Sequence, residues 1–108
     1  MAFSEKLAAK VRQQLARSGA VEKKMFGGLA FLINGNMSVG VRGDELLVRV
    51  DPAETDAALK SAGVRLFDIS GRPMRGWLVV GGAAIADDAG FASWVRRGAK
   101  YASSLPKK

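Results

Sequence analysis

The chain contains neither cysteine nor histidine among its 108 residues. Without cysteine there is no disulfide framework and no thiolate nucleophile, and without either residue type there is no Cys/His zinc site. Catalytic Ser-His-Asp and Cys-His arrangements are also excluded, because both require an imidazole. These absences remove the commonest forms of nucleophilic and zinc-dependent catalysis.

Long apolar runs are missing as well. Charges appear at Glu5 and Lys6 with no apolar stretch before them, which is not the pattern of a signal peptide. The longest nearly apolar run, residues 78–86, contains two glycines and is far shorter than the roughly 20 residues that cross a bilayer. We therefore expect a cytoplasmic protein with no membrane association.

The composition is that of one folded domain. Hydrophobic residues make up 48% and charged residues 25%, close to the average for globular proteins. A chain of this length buries roughly 65% of the surface that it exposes when unfolded, enough for a core without disulfides or metals. We expect residues 1–108 to form a single domain.

The first quarter of the chain predicts an amphipathic helix over residues 4–18. Ser4 is a suitable N-cap, and Gly19 is a suitable stop. Apolar residues recur every fourth position and form one stripe. These residues are Phe3, Leu7, Val11 and Leu15.

Three apolar runs follow, at residues 25–33, 37–41 and 46–50. Asn34-Gly35 joins the first two, and this dipeptide strongly favours a tight hairpin because both residues accept a positive φ. Residues 42–44, Arg-Gly-Asp, join the second run to the third. The pattern predicts a three-stranded antiparallel meander.

The second half predicts a helix from Asp51 to Gly63, two strands at residues 64–69 and 76–80, and a last helix that ends near residue 104. Asp51 followed by proline is a good helix start, and Asp87 or Asp88 can cap the last helix. The predicted order is α-β-β-β-α-β-β-α. This order indicates an α+β, two-layer domain in which an antiparallel β-sheet has its helices packed on one face.

Two glycine-rich segments have features of phosphate-binding loops. Met25-Phe26-Gly27-Gly28 lacks the following lysine and leads into a strand, so a bulge or a close backbone approach explains it better. Residues 71–76, Gly-Arg-Pro-Met-Arg-Gly, have the glycine spacing, but Trp77 occupies the position of the lysine. Turn chemistry is the better interpretation of this segment.

The positions of the acidic and aromatic residues are better explained by helix capping and core packing than by catalysis. The pairs Asp44-Glu45, Asp51/Glu54 and Asp87-Asp88 lie beside turns and helix starts, where capping accounts for them. Trp94 lies on the apolar side of the last helix and is expected in the core, whereas Trp77 can be partly exposed. We predict no catalytic residues, no metal site and no cofactor.

The positive charge is concentrated at the two ends of the chain. The net charge is +7, divided into +4 for residues 1–24, −2 for residues 25–70 and +5 for residues 71–108. If the two terminal helices pack side by side, their basic residues form one surface. The alternative is two ordinary solvated helix faces. The candidate basic surface comprises Lys6, Lys10, Arg17, Arg96, Arg97 and Lys100.

Several motifs together resemble the N-terminal domain of the TfoX/Sxy proteins, in a standalone single-domain form, over residues 6–106. They are Lys23-Lys24-Met25-Phe26-Gly27-Gly28-Leu29-Ala30, Asn34-Gly35-Asn36-Met37, the run from Asp44 to Asp51, Gly71-Arg72-Pro73-Met74-Arg75-Gly76-Trp77 and the Trp94-containing last helix. The family includes regulators of natural competence, whose full-length members act with a cyclic-AMP receptor-type activator. The resemblance implies an α+β fold and a non-enzymatic role.

Three hypotheses for function remain open at this stage. The first is a small regulatory module that binds a protein partner, for which a transcription factor is one candidate. The second is direct, sequence-independent binding of nucleic acid by the basic terminal helices. The third is a hydrolase that uses only carboxylates. A homodimer is compatible with each, since two-layer sheets often leave an edge to cover.

Overall fold

Six antiparallel strands form one sheet, and the helices pack against one of its faces. The computed structural model describes residues 3–25, 27–69 and 72–107. The strands are β1 (Val21–Met25), β2 (Gly28–Ile33), β3 (Asn36–Arg42), β4 (Glu45–Arg49), β5 (Val64–Ile69) and β6 (Arg72–Val80), in the order β1-β2-β3-β4-β6-β5. The helices are α1 (Glu5–Gln14), α2 (Thr55–Ala58) and α3 (Asp88–Ser104). The predicted α+β class is confirmed.

One strand was missing from the prediction. The segment assigned to a single first strand at residues 25–33 contains the end of β1, a turn and the whole of β2, and the two strands pair from Val21–Leu32 to Met25–Gly28. Three of the five residues of β1 are charged, and the first four are exposed. An edge strand of this composition shows no alternation of apolar and polar residues, and this alternation is the pattern by which a strand is recognised in a sequence.

The helix boundaries depart from the prediction at two places. The first helix begins at its Ser4 cap, whose Oγ accepts from the Leu7 N–H, but it ends at Gln14 rather than residue 18. The following turn closes with a bond from the Ser18 N–H to the Leu15 carbonyl. The second predicted helix is a 3₁₀ turn (Pro52–Glu54) followed by four α-helical residues.

Two hydrogen bonds of Thr55 hold the start of this second helical segment against the sheet. The buried Thr55 Oγ1 donates to the Pro52 carbonyl at 2.7 Å and accepts from the Gly76 N–H of β6 at 2.8 Å. Beyond Ala58 the backbone makes i→i+3 bonds and then reverses at Gly63, whose φ is +83°. The segment therefore caps one end of the sheet.

The main core lies between the sheet and the helices. Alternate residues of the central strands, including Phe31, Val39 and Val48, face Val11 of α1 and Val95 of α3. Trp94 is 8% exposed and belongs to this core, as predicted. The Asn34-Gly35 turn has the expected positive φ at both residues. In the described residues, no helix combines the length and the apolar character needed to span a membrane.

A second, smaller apolar cluster lies on the opposite face of the sheet. It contains Ala30, Met37, Leu47, Phe67 and Val79, all buried. Trp77 packs against it half-buried, and the guanidinium of Arg49 lies 4.9 Å from the centre of the indole ring. The sheet is therefore apolar on both faces, although the described helices pack on only one.

Candidate basic groove

A groove between the end of α1 and the middle of α3 collects four of the six predicted basic residues. Arg17 follows α1, and Arg96, Arg97 and Lys100 project from α3. The cavity measures about 640 Å³ and is also lined by Gln14, Leu15, Ser18, Ser93, Val95 and Ala99. We call this feature the basic groove. It exists because α1 and α3 contact each other on the same face of the sheet.

The close approach of α3 to the sheet depends on a glycine. A Cβ added at Gly98 would lie 2.5 Å from the Ser38 carbonyl oxygen and 2.6 Å from Val39 Cγ1, both on β3. The side of α3 that carries Gly98 therefore rests directly on the backbone of β3. The exposed residues Ser93, Arg96 and Lys100 are left on the outer surface of the helix.

Three cations of the groove have no carboxylate partner within 4.0 Å among the described residues. They are Arg17, Arg96 and Lys100, and all three are exposed. Arg97 differs, because its guanidinium lies 3.2 Å from Glu54 Oε1 and 4.5 Å from the centre of the Trp94 ring. Arg97 therefore already has a carboxylate and a ring as partners, whereas the other three can engage an incoming anion.

The remaining two predicted cations lie outside the groove. Lys10 Nζ lies 3.4 Å from Asp88 Oδ1 and 4.5 Å from the centre of the Phe91 ring. Lys6 is exposed near the start of α1 and does not line the groove. The terminal helices do pack together, but the surface that they share contains only four of the six predicted basic residues.

Most carboxylates are engaged in structural contacts. Seven of the ten acidic residues pair with a basic side chain or cap a helical turn. Asp51 and Asp87 are caps, as predicted, and accept from the backbone N–H groups of Ala53 and Gly90. Glu45 is not a cap but pairs with Arg65. No group of three or more potential metal ligands occurs in the part of the chain that the structure describes.

Two carboxylates have lowered pKa values because arginine holds both of their oxygens. Glu22 accepts from Arg12 at 2.6 and 2.8 Å, and Glu45 accepts from Arg65 at 2.8 Å on both oxygens. The hydrogen bonds from these arginines lower the pKa of each carboxyl below its ordinary value. Both groups therefore remain ionised near neutral pH, which is unfavourable for a general acid.

The Glu45–Arg65 pair predicts a pH dependence of stability. Because the pKa of Glu45 is lower in the folded state, the pair stabilises the fold above the unfolded pKa, and this stabilisation is lost as pH falls through the folded pKa. We expect Glu45→Gln to reduce the acid-induced loss of unfolding free energy below about pH 4.5, by less than about 1 kcal/mol because the pair is partly exposed. Urea denaturation at about pH 7 and pH 3 measures this.

The control for this pH dependence is Glu5→Gln, since Glu5 has no ion pair among the described residues. It should leave the pH dependence close to that of the unaltered chain. Equal acid sensitivity in Glu45→Gln and the unaltered chain would contradict a stabilising role for the pair.

The family-motif residues lie at two hairpins rather than in the basic groove. Gly27 has a φ of +72° in the turn that follows Met25, and a Cβ at Gly28 would collide with the Val41 carbonyl oxygen. Gly28 is thus the predicted close backbone approach. Phe26 and Gly71 lie outside the described residues, as do the side chains of Arg72 and Pro73.

The remaining motif residues belong to β6. Met74 pairs with Phe67, and Trp77 pairs with Arg49. Gly76 has a φ of +83° and donates its N–H to Thr55, so its role in the described structure is to shape the strand. The second motif therefore builds the end of the sheet and the face opposite the helices.

The contacts between arginine side chains and aromatic rings around the face of the sheet opposite the helices were not predicted. Arg42 lies 5.7 Å from the centre of the Phe67 ring, and Arg49 lies near both Trp77 and Tyr101. A signal was present in β4, where both Leu46 and Leu47 are apolar. Two adjacent apolar residues in a strand point to opposite faces and indicate that both faces are covered.

Comparison with known proteins gave one match. A family model described as the TfoX N-terminal domain matches residues 13–102. The matched region includes all six strands, the whole of α2 and most of α3. Comparisons with curated proteins and with solved structures found no significant match.

Proposed function

The chain belongs to the TfoX N-terminal domain family, and from this membership we propose that it is a regulatory module that acts on transcription by binding a protein partner. The single observation that supports a binding surface is the basic groove, in which Arg17, Arg96 and Lys100 have no carboxylate partner within ion-pair distance in the part of the chain that the structure describes. Acting at promoters requires a cytoplasmic location, and that compartment is part of the proposal.

We also propose that the module performs no catalysis itself. The carboxylates that a hydrolase without histidine would use are mostly held by arginine, held by lysine or used as caps. Two cavities are lined by two acids each. One has Glu5 and Glu22 together with Arg12, which holds Glu22, and the other has Asp51 and Glu54 together with Arg97 and Lys100. Asp51 caps a turn and Glu54 pairs with Arg97, so neither is positioned as a free base.

Transcript measurements in the native host test the regulatory role. The gene is deleted, and the strain is complemented either with the unaltered chain or with a chain carrying Arg96→Glu and Lys100→Glu. We expect the deletion to change a restricted set of transcripts and the unaltered chain to restore them. Unchanged transcripts under every growth condition tested, including those that induce competence, would contradict the proposal.

Direct nucleic-acid binding is the second candidate function, and the same unpaired cations favour it. If phosphates neutralise these cations, the affinity for labelled DNA or RNA falls steeply with salt through counterion release. Fluorescence anisotropy at low salt measures this directly. Failure to bind duplex and single-stranded DNA or RNA would eliminate this candidate without affecting the first.

A further inference from the structure

The basic groove joins a cationic rim to an apolar floor. The rim carries the exposed side chains of Arg17, Arg96 and Lys100. At the floor, Leu15 and Val95 are buried and Ala99 is half-buried. Long basic side chains also contribute aliphatic stems to such surfaces while their charged ends stay in water. A ligand that complements the groove must therefore present both anionic groups and hydrocarbon.

The dimensions of the groove suit a helix. Ser93, Arg96, Arg97 and Lys100 follow the spacing i, i+3, i+4 and i+7 and so form one ridge of α3. At a rise of 1.5 Å per residue this ridge is about 10 Å long, which is about two helical turns. The segment from Gln14 to Ser18 forms the opposite wall. Helix-in-groove recognition uses apolar anchors at the same spacing on the bound helix.

The carboxylates near the groove are each paired with a cation. Asp88 pairs with Lys10, Glu54 with Arg97 and Glu22 with Arg12. The unpaired positive charge of the groove is therefore confined to its three exposed cations. A nucleic-acid backbone repeats its negative charge along its whole length and offers no apolar face to the floor of the groove. A short acidic segment with an apolar side matches both properties.

We infer that the basic groove binds an acidic amphipathic helix of the partner protein. Its apolar residues contact Ala99, the accessible edge of Leu15 and the aliphatic stems of the basic side chains, and its carboxylates pair with Arg17, Arg96 and Lys100. The inference rests on the proposed function, because it specifies which part of the partner the module holds.

Fluorescence anisotropy with a labelled synthetic peptide tests this inference on the full chain. The peptide has about 14 residues, with leucine at i, i+3, i+4 and i+7 and glutamate on the flanking positions. One control peptide replaces every glutamate with glutamine, and another replaces every leucine with serine. We expect each control peptide to bind at least about tenfold more weakly, because each removes one of the two complementary properties.

A matched pair of double variants locates the binding surface. Arg96→Glu with Lys100→Glu alters the groove, whereas Lys23→Glu with Lys24→Glu removes the same charge from β1, outside the groove. We expect the groove variant to raise the Kd for the acidic peptide at least about tenfold and the β1 variant to change it less than about threefold. Circular dichroism verifies that both variants fold, and the neutral pair Arg96→Gln with Lys100→Gln provides a second groove variant.

Three results would overturn the inference: no binding of the acidic peptide, equal loss of affinity in the two double variants, or tighter binding of labelled DNA than of peptide at the same groove. The last result would assign the groove to nucleic acid instead.

In the host, a groove variant that restores transcripts as well as the unaltered chain would refute the inference and leave the regulatory role intact. Transcripts that do not respond to deletion would refute the role itself.

Discussion

Replacing Phe31 with alanine is expected to lower the free energy of unfolding by about 3–5 kcal/mol. Phe31 is 1% exposed on β2 and belongs to the core beneath the helices. It also lines a small cavity with Leu15 and Ala20, where the chain passes from α1 to β1. The substitution removes buried apolar contacts and leaves a cavity, and the loss is a large share of the roughly 5–15 kcal/mol that stabilises a typical domain.

Urea denaturation followed by circular dichroism measures the effect of Phe31→Ala. Leu32→Ala is the matched control, because Leu32 is the next residue of β2 but lies half-buried on the opposite face. We expect the control to lose less than half as much stability. A loss below about 1 kcal/mol for Phe31→Ala would contradict the packing of the helical layer on β2.

Replacing Gly98 with alanine is expected to destabilise the protein, which reverses the usual sign for this change in a helix. In a helix interior, alanine is ordinarily favoured over glycine by about 0.5–1 kcal/mol. At Gly98 the new Cβ would lie 2.5 Å from the Ser38 carbonyl oxygen, so α3 must move away from β3. Overpacking of this kind costs about 1–3 kcal/mol. We therefore expect a net loss for Gly98→Ala and a larger one for Gly98→Val.

Ser103→Ala is the control for Gly98, since Ser103 is an exposed residue of the same helix. Its effect should stay within about 0.5 kcal/mol. A Gly98→Ala variant that is more stable than the unaltered chain would show that α3 does not rest on the β3 backbone as described. The measurement bears on the groove as well, because Arg96, Arg97 and Lys100 are positioned by the same helix.

The sequence predicted the parts of the fold that have strong local signals. The Ser4 cap and the Asn34-Gly35 turn were predicted and are present, and Asp87 is the one of the two candidate residues that caps α3. Each depends on a side chain or glycine acting on its own neighbours. The edge strand β1 was missed because its pairing with β2 leaves no buried alternation to detect.

The candidate site was only partly predictable, because it depends on long-range packing. The basic residues of α1 and α3 are recognisable individually, but their grouping requires the contact between two helices at opposite ends of the chain. Lys10 belonged to the predicted surface and is instead paired with Asp88, an interaction across 78 positions of sequence. The ion pair of Arg97 with Glu54 also joins residues that are far apart, separated by 43 positions of sequence.

Backbone chemical-shift mapping by nuclear magnetic resonance tests most directly whether the basic groove is the interaction surface. The labelled full chain is titrated with the acidic amphipathic peptide, and amide shifts are followed residue by residue. We predict that the largest changes fall in residues 14–18 and 93–100, which line the groove. Changes centred on β4 and β6 around Arg49 and Trp77, or no changes at all, would contradict the account.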